Sequence, residues 1–334
     1  MNSTTWKTLD DETREKTVTL IMQKWKNRGF PHYNLTKEQQ LKEIENFKKY
    51  DRNALIVNKK IKQTLHALGL AWHYFPHHWE VKTGNMKTPM DVWNDEILLR
   101  KAIHSRLKWG GYQEIDGEPD LSEAYMRKAL RTYSGVQRVS NFRPSAAAAI
   151  YDKYADNGIV WDMSCGYGGR LLGAIVSNKV KKYIGTDPAI KTFAGLMQMK
   201  KDWGNNKQIN LYNQGSETFI PTETVDLCFT SPPYFNTEKY ADEETQSYKK
   251  YSNVETWNEG FLRTTIINTR KTLKPSGTLI LNVANVKSHP ELEFDTVKIA
   301  QEEGFKLVDT LQLSLSSISK GGYKYEPVFV FIKK

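Results

Sequence analysis

Val160-Trp161-Asp162-Met163-Ser164-Cys165-Gly166-Tyr167-Gly168-Gly169-Arg170 starts as a β-forming run, closes on an acid, turns through glycines and opens into a helical pattern. Glycine tightens such a turn and lets the backbone approach a ligand, and open α/β sheets hold ligands at the carboxyl ends of their strands. The next β-rich run, Lys182 to Asp187, ends in a second acid 25 residues after Asp162. That is about the distance at which an acid closing the second strand reaches ribose hydroxyls. A nucleotide-like cofactor fits this pattern, although a glycine-rich turn by itself is also the plain connection of a β–α unit.

Working outward, residues from Phe142 onward alternate β-rich runs with longer amphipathic stretches, which predicts an α/β domain with a mostly parallel sheet. Expected strands are 158–162, 182–187, 209–212, 225–230, 278–283, 305–315 and 325–332, and expected helices are 169–177, 189–203, 254–273 and 294–303. Lys274-Pro275-Ser276-Gly277 reads as a helix stop feeding directly into a strand. No helix separates the last two strands and Lys320-Gly321-Gly322 lies between them, so they are expected to form an antiparallel hairpin at the sheet edge.

A second motif, Asp226-Leu227-Cys228-Phe229-Thr230-Ser231-Pro232-Pro233-Tyr234-Phe235, is an apolar strand running into a double proline flanked by a hydroxyl and two aromatic rings. Proline fixes φ and lacks an N–H, so neighbouring carbonyls keep defined directions and can accept from an amine. Tyr234 offers a face for a planar base, a contact worth roughly 1–3 kcal/mol for a singly presented base. The plain structural alternative is a proline-stiffened loop with buried aromatic rings.

At these residues the chain resembles the S-adenosylmethionine-dependent amino-methyltransferases acting on DNA, whose hallmark is an acid, Ser or Asn followed by Pro-Pro-Tyr, here Ser231 to Tyr234. The resemblance covers about residues 138–334. It includes Asn141-Phe142-Arg143-Pro144-Ser145, which is similar to that family's additional cofactor-contacting segment. It implies a Rossmann-like methyltransferase fold with a mostly parallel seven-stranded sheet and S-adenosylmethionine as cofactor. Arg143, Pro144, Asp162, Cys165, Gly166 and Gly168 would contact that cofactor, Asp187 would hold its ribose, and Ser216 would lie near its adenine. Ser231, Pro232, Pro233 and Tyr234 would be catalytic. The target base would be flipped out, its amine donating to Ser231 and to the Pro232 carbonyl and attacking the sulfonium methyl without a covalent intermediate.

Methylation at cytosine C5 is excluded, because it needs a cysteine nucleophile and neither Cys165 nor Cys228 follows a proline. Cys228 reads as a buried strand residue. Serine at the first motif position favours the cytosine-N4 amine over adenine-N6. DNA methylation of the restriction-modification kind is what the family implies. An RNA or protein-amide methyltransferase, or a catalytically idle DNA-binding subunit, are the competing readings.

With 334 residues the chain has room for about two domains. The expected division is a mainly helical, basic region at 1–137 that holds and reads DNA, and then the methyltransferase domain at 138–334. Formal net charge is +10, which suits a polyanionic partner. Residues 1–140 carry 24 Lys+Arg against 17 Asp+Glu and residues 141–334 carry 24 against 21, so the excess sits mostly in the first half. Helical periodicity there is clearest over Asp91 to Trp109, with Arg100, Lys101, Arg106 and Lys108 largely off the apolar face. Lys82, Lys87 and these four are candidate phosphate contacts, against the alternative of a merely solvated face. A shorter helix is expected over Ser122 to Tyr133.

Two cysteines are too few for a disulfide framework or a cysteine zinc site. His66, His73, His77 and His78 lie among Trp72, Tyr74, Phe75 and Trp79 in no structural zinc spacing, so a packed aromatic cluster is expected and no metal, with a nucleic-acid contact surface as the alternative. Asn236 to Tyr251 is polar and aromatic-rich, and is expected to form a mobile flap over the target base. No apolar run is long enough to span a membrane and the first residues lack a secretory core, so a cytoplasmic protein is expected.

Overall fold

The computed structural model describes residues 3–133, 135–137, 139–317 and 323–334. The chain divides into two compact units, one made of residues 1–34 and 76–139 and the other of 35–75 and 140–334. The single division expected at 137/138 is therefore corrected for residues 35–75, which pack with the α/β unit. The cause is the polar-apolar pair Lys60–Ile61, which adds a short parallel strand to the outer sheet edge, opposite Gln312 and Leu313.

The larger unit holds strands β1 (Gly158–Asp162), β2 (Val180–Thr186), β3 (Gln208–Tyr212), β4 (Val225–Thr230), β5 (Leu273–Asn282), β6 (Phe305–Ser317) and β7 (Tyr323–Lys333). Their order in the sheet is β6-β7-β5-β4-β1-β2-β3. Strand β7 is antiparallel to both neighbours, and β5, β4, β1, β2 and β3 run parallel. This is a doubly wound, Rossmann-like α/β fold. The turn expected at Lys320-Gly321-Gly322 lies outside the described residues. Lys60–Ile61 pairs with the β6 edge at Gln312 and Leu313, with Ile56–Val57 paired outside it, which shields part of an edge that would otherwise present unpaired backbone groups.

Helices α1 (Pro144–Tyr154), α2 (Gly169–Val176), α3 (Ile190–Trp203), α4 (Thr264–Thr272) and α5 (Leu292–Glu302) flank the sheet. Pro144 stands in the first turn of α1, where a missing N–H loses no helical bond. Small residues decide how close α1 and α2 come: a Cβ on Gly173 would lie 2.7 Å from the Ala147 methyl. That approach holds the residues just before α1 against the glycine-rich turn just before α2. One apolar core lies under β1, β4, β5 and β7, with Trp161, Cys228, Trp257, Leu279 and Phe331 fully enclosed.

Two expected elements differ. The helix expected over 254–273 is three pieces, Val254–Trp257, a wide π-turn at Asn258–Arg263, and α4. Lys274 to Gly277 does not precede β5 but lies within it, as a register break between Leu273 and Thr278 with Ser276 at φ 60°.

In the smaller unit, helices Asp11–Arg28, Pro89–Asn94, Glu96–Lys108 and Glu123–Thr132 surround a core that includes Trp25, Trp93, Ile103, Leu107 and Leu130. The helix expected over 91–109 is broken at Asp95. Its carboxylate accepts from Leu98 N at 3.0 Å and starts a new helix, an arrangement that side-chain capping favours over continuation.

Candidate functional site

Sheet order reverses direction between β1 and β4, and a doubly wound sheet opens a crevice beyond the strand ends at such a point. Both motifs leave the sheet there: Asp162 closes β1, and Ser231 comes directly after the last residue of β4. Residues 141–145 join them. Asn141 donates to the Tyr167 carbonyl at 2.9 Å, and Phe142 stacks edge-on against Phe229 of β4 with ring centroids 5.4 Å apart. A Cβ on Gly169 would sit 1.9 Å from the Phe142 carbonyl oxygen. Glycine is required there because the two backbones touch.

The turn itself is shaped by Gly166 at φ 54° and Gly168 at φ 67°, values that L side chains resist. The two glycines differ in what surrounds them. A Cβ on Gly168 would meet Met199 and, at 3.2 Å, Phe75, whereas on Gly166 it would find only the Ser164 carbonyl at 4.0 Å. Gly166 thus leaves backbone facing open space, and its N–H donates to Asp187 at 2.8 Å. Asp187 also accepts from Ala189 N at 3.1 Å. Burial pushes its carboxyl up to about 7, against the two backbone N–H bonds that favour the charged form, with the nearby Asp162 adding to the rise. An acid held at the rim of a glycine cradle is fit to accept from paired hydroxyls.

Asp162 closes β1 on the inner side of the turn. Its carboxylate is fully buried and accepts from four donors: Arg170 Nε at 2.9 Å, the Tyr183 hydroxyl at 2.7 Å, Thr230 Oγ1 at 2.9 Å and Ser164 N at 3.3 Å. Four donors fill the lone-pair positions of a carboxylate, so the Asp162 side chain is fully engaged within the protein. The Ser216 hydroxyl is likewise turned inward, 2.9 Å from Thr265 Oγ1. Cys165 lies beside the turn with its sulfur 3.4 Å from the Tyr183 hydroxyl, and burial pushes its thiol well up. Arg143 immediately precedes α1.

Across the crevice, the Tyr234 hydroxyl lies 3.4 Å from both the Asn282 carbonyl and the Glu326 carboxylate. Burial, and then Glu326, push that phenol well up, and burial raises Glu326. Anchoring at the hydroxyl holds the far end of the half-buried ring in place. Nothing in the sequence points to Glu326: it sits on β7, where strand alternation marks nothing special. Phe235, next in the chain, takes φ 53° and is buried against Trp257. These contacts fold the chain back directly after the double proline.

Residues 236–251, expected as a flap, are tied down at several points, among them Thr237 Oγ1 with Ser288 Oγ at 2.9 Å and Ser247 Oγ accepting from Trp257 Nε1 at 3.1 Å. Glu243 accepts from Ile190 N at 3.1 Å at the start of α3, and Lys250 pairs with Glu217 at 2.6 Å. Tyr240 donates to Glu238, whose carboxyl burial raises. The aromatic stretch before residue 76 packs behind the glycine turn: Trp72 and Phe75 lie 5.3 and 5.5 Å from the Tyr167 ring. His73 sits against Leu35 N and Gln40, and His66 against Thr64 and Tyr50. No group of three metal-ligating side chains occurs among the described residues, and no described helix is long and apolar enough to cross a membrane.

Residues 225–334 match the family model described as DNA methylase. The match begins at β4 and so takes in Ser231 to Tyr234. No curated protein matches the chain at a significant level. Similar solved structures include the N-methyltransferase NodS from Bradyrhizobium japonicum, at 16% identity and TM-score 0.39 over 52% of this chain and 85% of that one. Magnesium protoporphyrin IX methyltransferase from Synechocystis aligns at 15% identity and TM-score 0.41, over 57% and 78% of the two chains. A methyltransferase from Pyrococcus furiosus aligns at 15% identity and TM-score 0.40, over 55% and 80%.

Proposed function

We propose, on the premise that residues 225–334 belong with the DNA methylases, that the protein transfers a methyl group from S-adenosylmethionine to the exocyclic amine of a base in DNA. The observation that carries this reading is the meeting of a glycine cradle and a Ser-Pro-Pro-Tyr loop at one switch point of the sheet. The cofactor fits the cradle, because Gly166 leaves backbone open and Asp187 stands beside it to accept the ribose hydroxyls. When bound, it supplies an electrophilic methyl on sulfur.

The chain's own residues do the remaining work. Ser231 and the Pro232 carbonyl accept from the two amine hydrogens, which orients the nitrogen lone pair at the methyl. Tyr234, anchored at its hydroxyl, stacks on the base. Such a base must leave the duplex, because these groups lie beyond the strand ends and cannot enter a helix stack. Serine rather than an acid at 231 favours cytosine-N4 over adenine-N6.

DNA would be held by both units. Residues 35–75 carry eight Lys+Arg against four Asp+Glu, so four of the seven excess positive charges in residues 1–140 belong to the α/β unit. Lys48, Lys49, Lys59, Lys60 and Lys62 are exposed. If they track phosphates, Lys49→Gln with Lys62→Gln reduces the slope of log binding constant against log salt by about two. An unchanged slope, with a reduction instead in Lys101→Gln with Lys108→Gln, would give DNA holding to the smaller unit alone.

Asp187 also sets a pH dependence. With its folded pKa raised to about 7, the folded protein holds a proton that the unfolded chain has lost above about pH 4. Stability of the free protein therefore falls as pH rises from about 4 to about 7 and levels off above. Ribose hydroxyls favour the charged carboxylate, so cofactor affinity should rise over the same upper range. Calorimetric titration at pH 6, 7 and 8 checks this, and a slope that persists in Asp187→Asn would remove the assignment.

The decisive experiment is incubation with methyl-labelled cofactor and DNA, RNA or protein in parallel, with mass analysis of the nucleosides and peptides. Labelled N4-methylcytosine from DNA is the expected product. Label in RNA or in a protein amide alone would move the assignment to another substrate. Absence of both transfer and cofactor binding would leave a DNA-binding subunit.

A further inference from the structure

We propose that Thr230 is a positioning residue, whose hydrogen bond to Asp162 sets the Ser231–Tyr234 loop against the glycine-rich turn. Thr230 is the last residue of β4 and is fully buried. Its position asks for no hydroxyl: Cys228 and Phe229 before it are buried and apolar, and valine has the same shape and a similar preference for strands. The hydroxyl instead donates to Asp162 at 2.9 Å and lies 3.4 Å from both Arg170 Nη2 and the Ser164 carbonyl. Through Asp162 it is connected to three further pieces of the cofactor side: Ser164 in the turn, Arg170 at the start of α2 and Tyr183 in β2.

The residues after Thr230 make such a tether matter. Pro232 and Pro233 have no N–H, so the loop cannot be held by the backbone ladder that fixes β4. Further anchors are the Tyr234 hydroxyl, which also bonds the Ser231 side chain, and the buried ring of Phe235. Thr230 is thus the polar fixture on the strand side, and it is tied to the same carboxylate that organises the glycine turn. The acceptors for the amine and the cradle for the methyl donor share one buried group, so their separation is set by bonds rather than by loop packing alone. Near-attack geometry is sensitive to this: a 1 Å misplacement can cost about 100-fold in rate.

This inference rests on the proposed methyl transfer for its kinetic readout and on the loop alone for its second one. The test compares wild type, Thr230→Val and Thr230→Ser. Thr230→Val should bind S-adenosylmethionine as wild type does but lose about tenfold or more in kcat, and Thr230→Ser should restore turnover. Turnover in Thr230→Val equal to wild type, or turnover and cofactor affinity lost together, would overturn the positioning role. Hydrogen exchange at the amides of residues 234–237 is read in parallel and needs no substrate. Faster exchange there in Thr230→Val, confined to that loop, supports the tether. Equal exchange in both proteins overturns it, even if the wild type proves to methylate something other than DNA.

Discussion

Tyr234→Ala should lower methyl transfer to DNA by roughly 5- to 150-fold, the range that 1–3 kcal/mol of base stacking represents, while cofactor affinity stays as in wild type. The phenol is held at its oxygen by the Asn282 carbonyl and Glu326, 3.4 Å from each, so the ring's position is set before any base arrives. Its removal takes away the stacking face and leaves the glycine turn untouched, since none of the bonds described for Gly166, Asp162 or Asp187 involves Tyr234. Asp187→Ala should do the opposite, weakening cofactor binding far more than turnover at saturating cofactor. Single-turnover kinetics with a parallel cofactor titration separate the two. If both variants lose both properties equally, the division of labour across the crevice is wrong.

Asp162→Ala should destabilise the α/β unit by about 3–5 kcal/mol, the usual consequence of stranding one member of a buried ion pair. Arg170, its partner, keeps only 5% of its side-chain surface in contact with solvent. After the substitution the guanidinium would still have the Ser164 carbonyl but no counter-charge. Tyr183 and Thr230 would lose an acceptor at the same time. Urea unfolding monitored by tryptophan fluorescence measures the loss, with Trp161 next to the substituted residue as an internal probe. A loss under about 1 kcal/mol, the range of exposed pairs, would show that the network contributes little. Replacing Asp162 and Arg170 together by apolar residues should recover much of the stability, because a buried pair is often no better than a well-packed apolar one.

Much of the α/β unit is legible in the sequence because its strands are short, apolar and bounded by acids or glycines. Gly158–Asp162 and Val225–Thr230 fall where expected, residue for residue, and the glycine turn and double proline carry their own backbone constraints. The illegible parts depend on contacts between residues far apart in the chain. Nothing in the spacing around Asp162 shows that Arg170, Tyr183 and Thr230 converge on its carboxylate. Glu326 acquires meaning only because β7 turns back beside β5 and places it near Tyr234. The two-residue strand at Lys60–Ile61 is too short to show any periodicity, so nothing local marks residues 35–75 as part of the α/β unit. In the smaller unit, Asp95 reads as one more polar position on a helix, whereas it caps a second one.

The interleaving of the two units has a consequence for synthesis. Each is built from two separate stretches of chain, and during translation the N-terminal parts emerge first. The smaller unit has all its residues once position 139 is made. At that moment residues 35–75 are already outside the ribosome with no sheet to join, because β1 has yet to be made. Trp72 and Phe75, which later pack on Tyr167 behind the glycine turn, lack that partner throughout this interval. The stretch from Leu68 to Phe75 is thus an apolar segment of the nascent chain that precedes its own packing partner by about ninety residues.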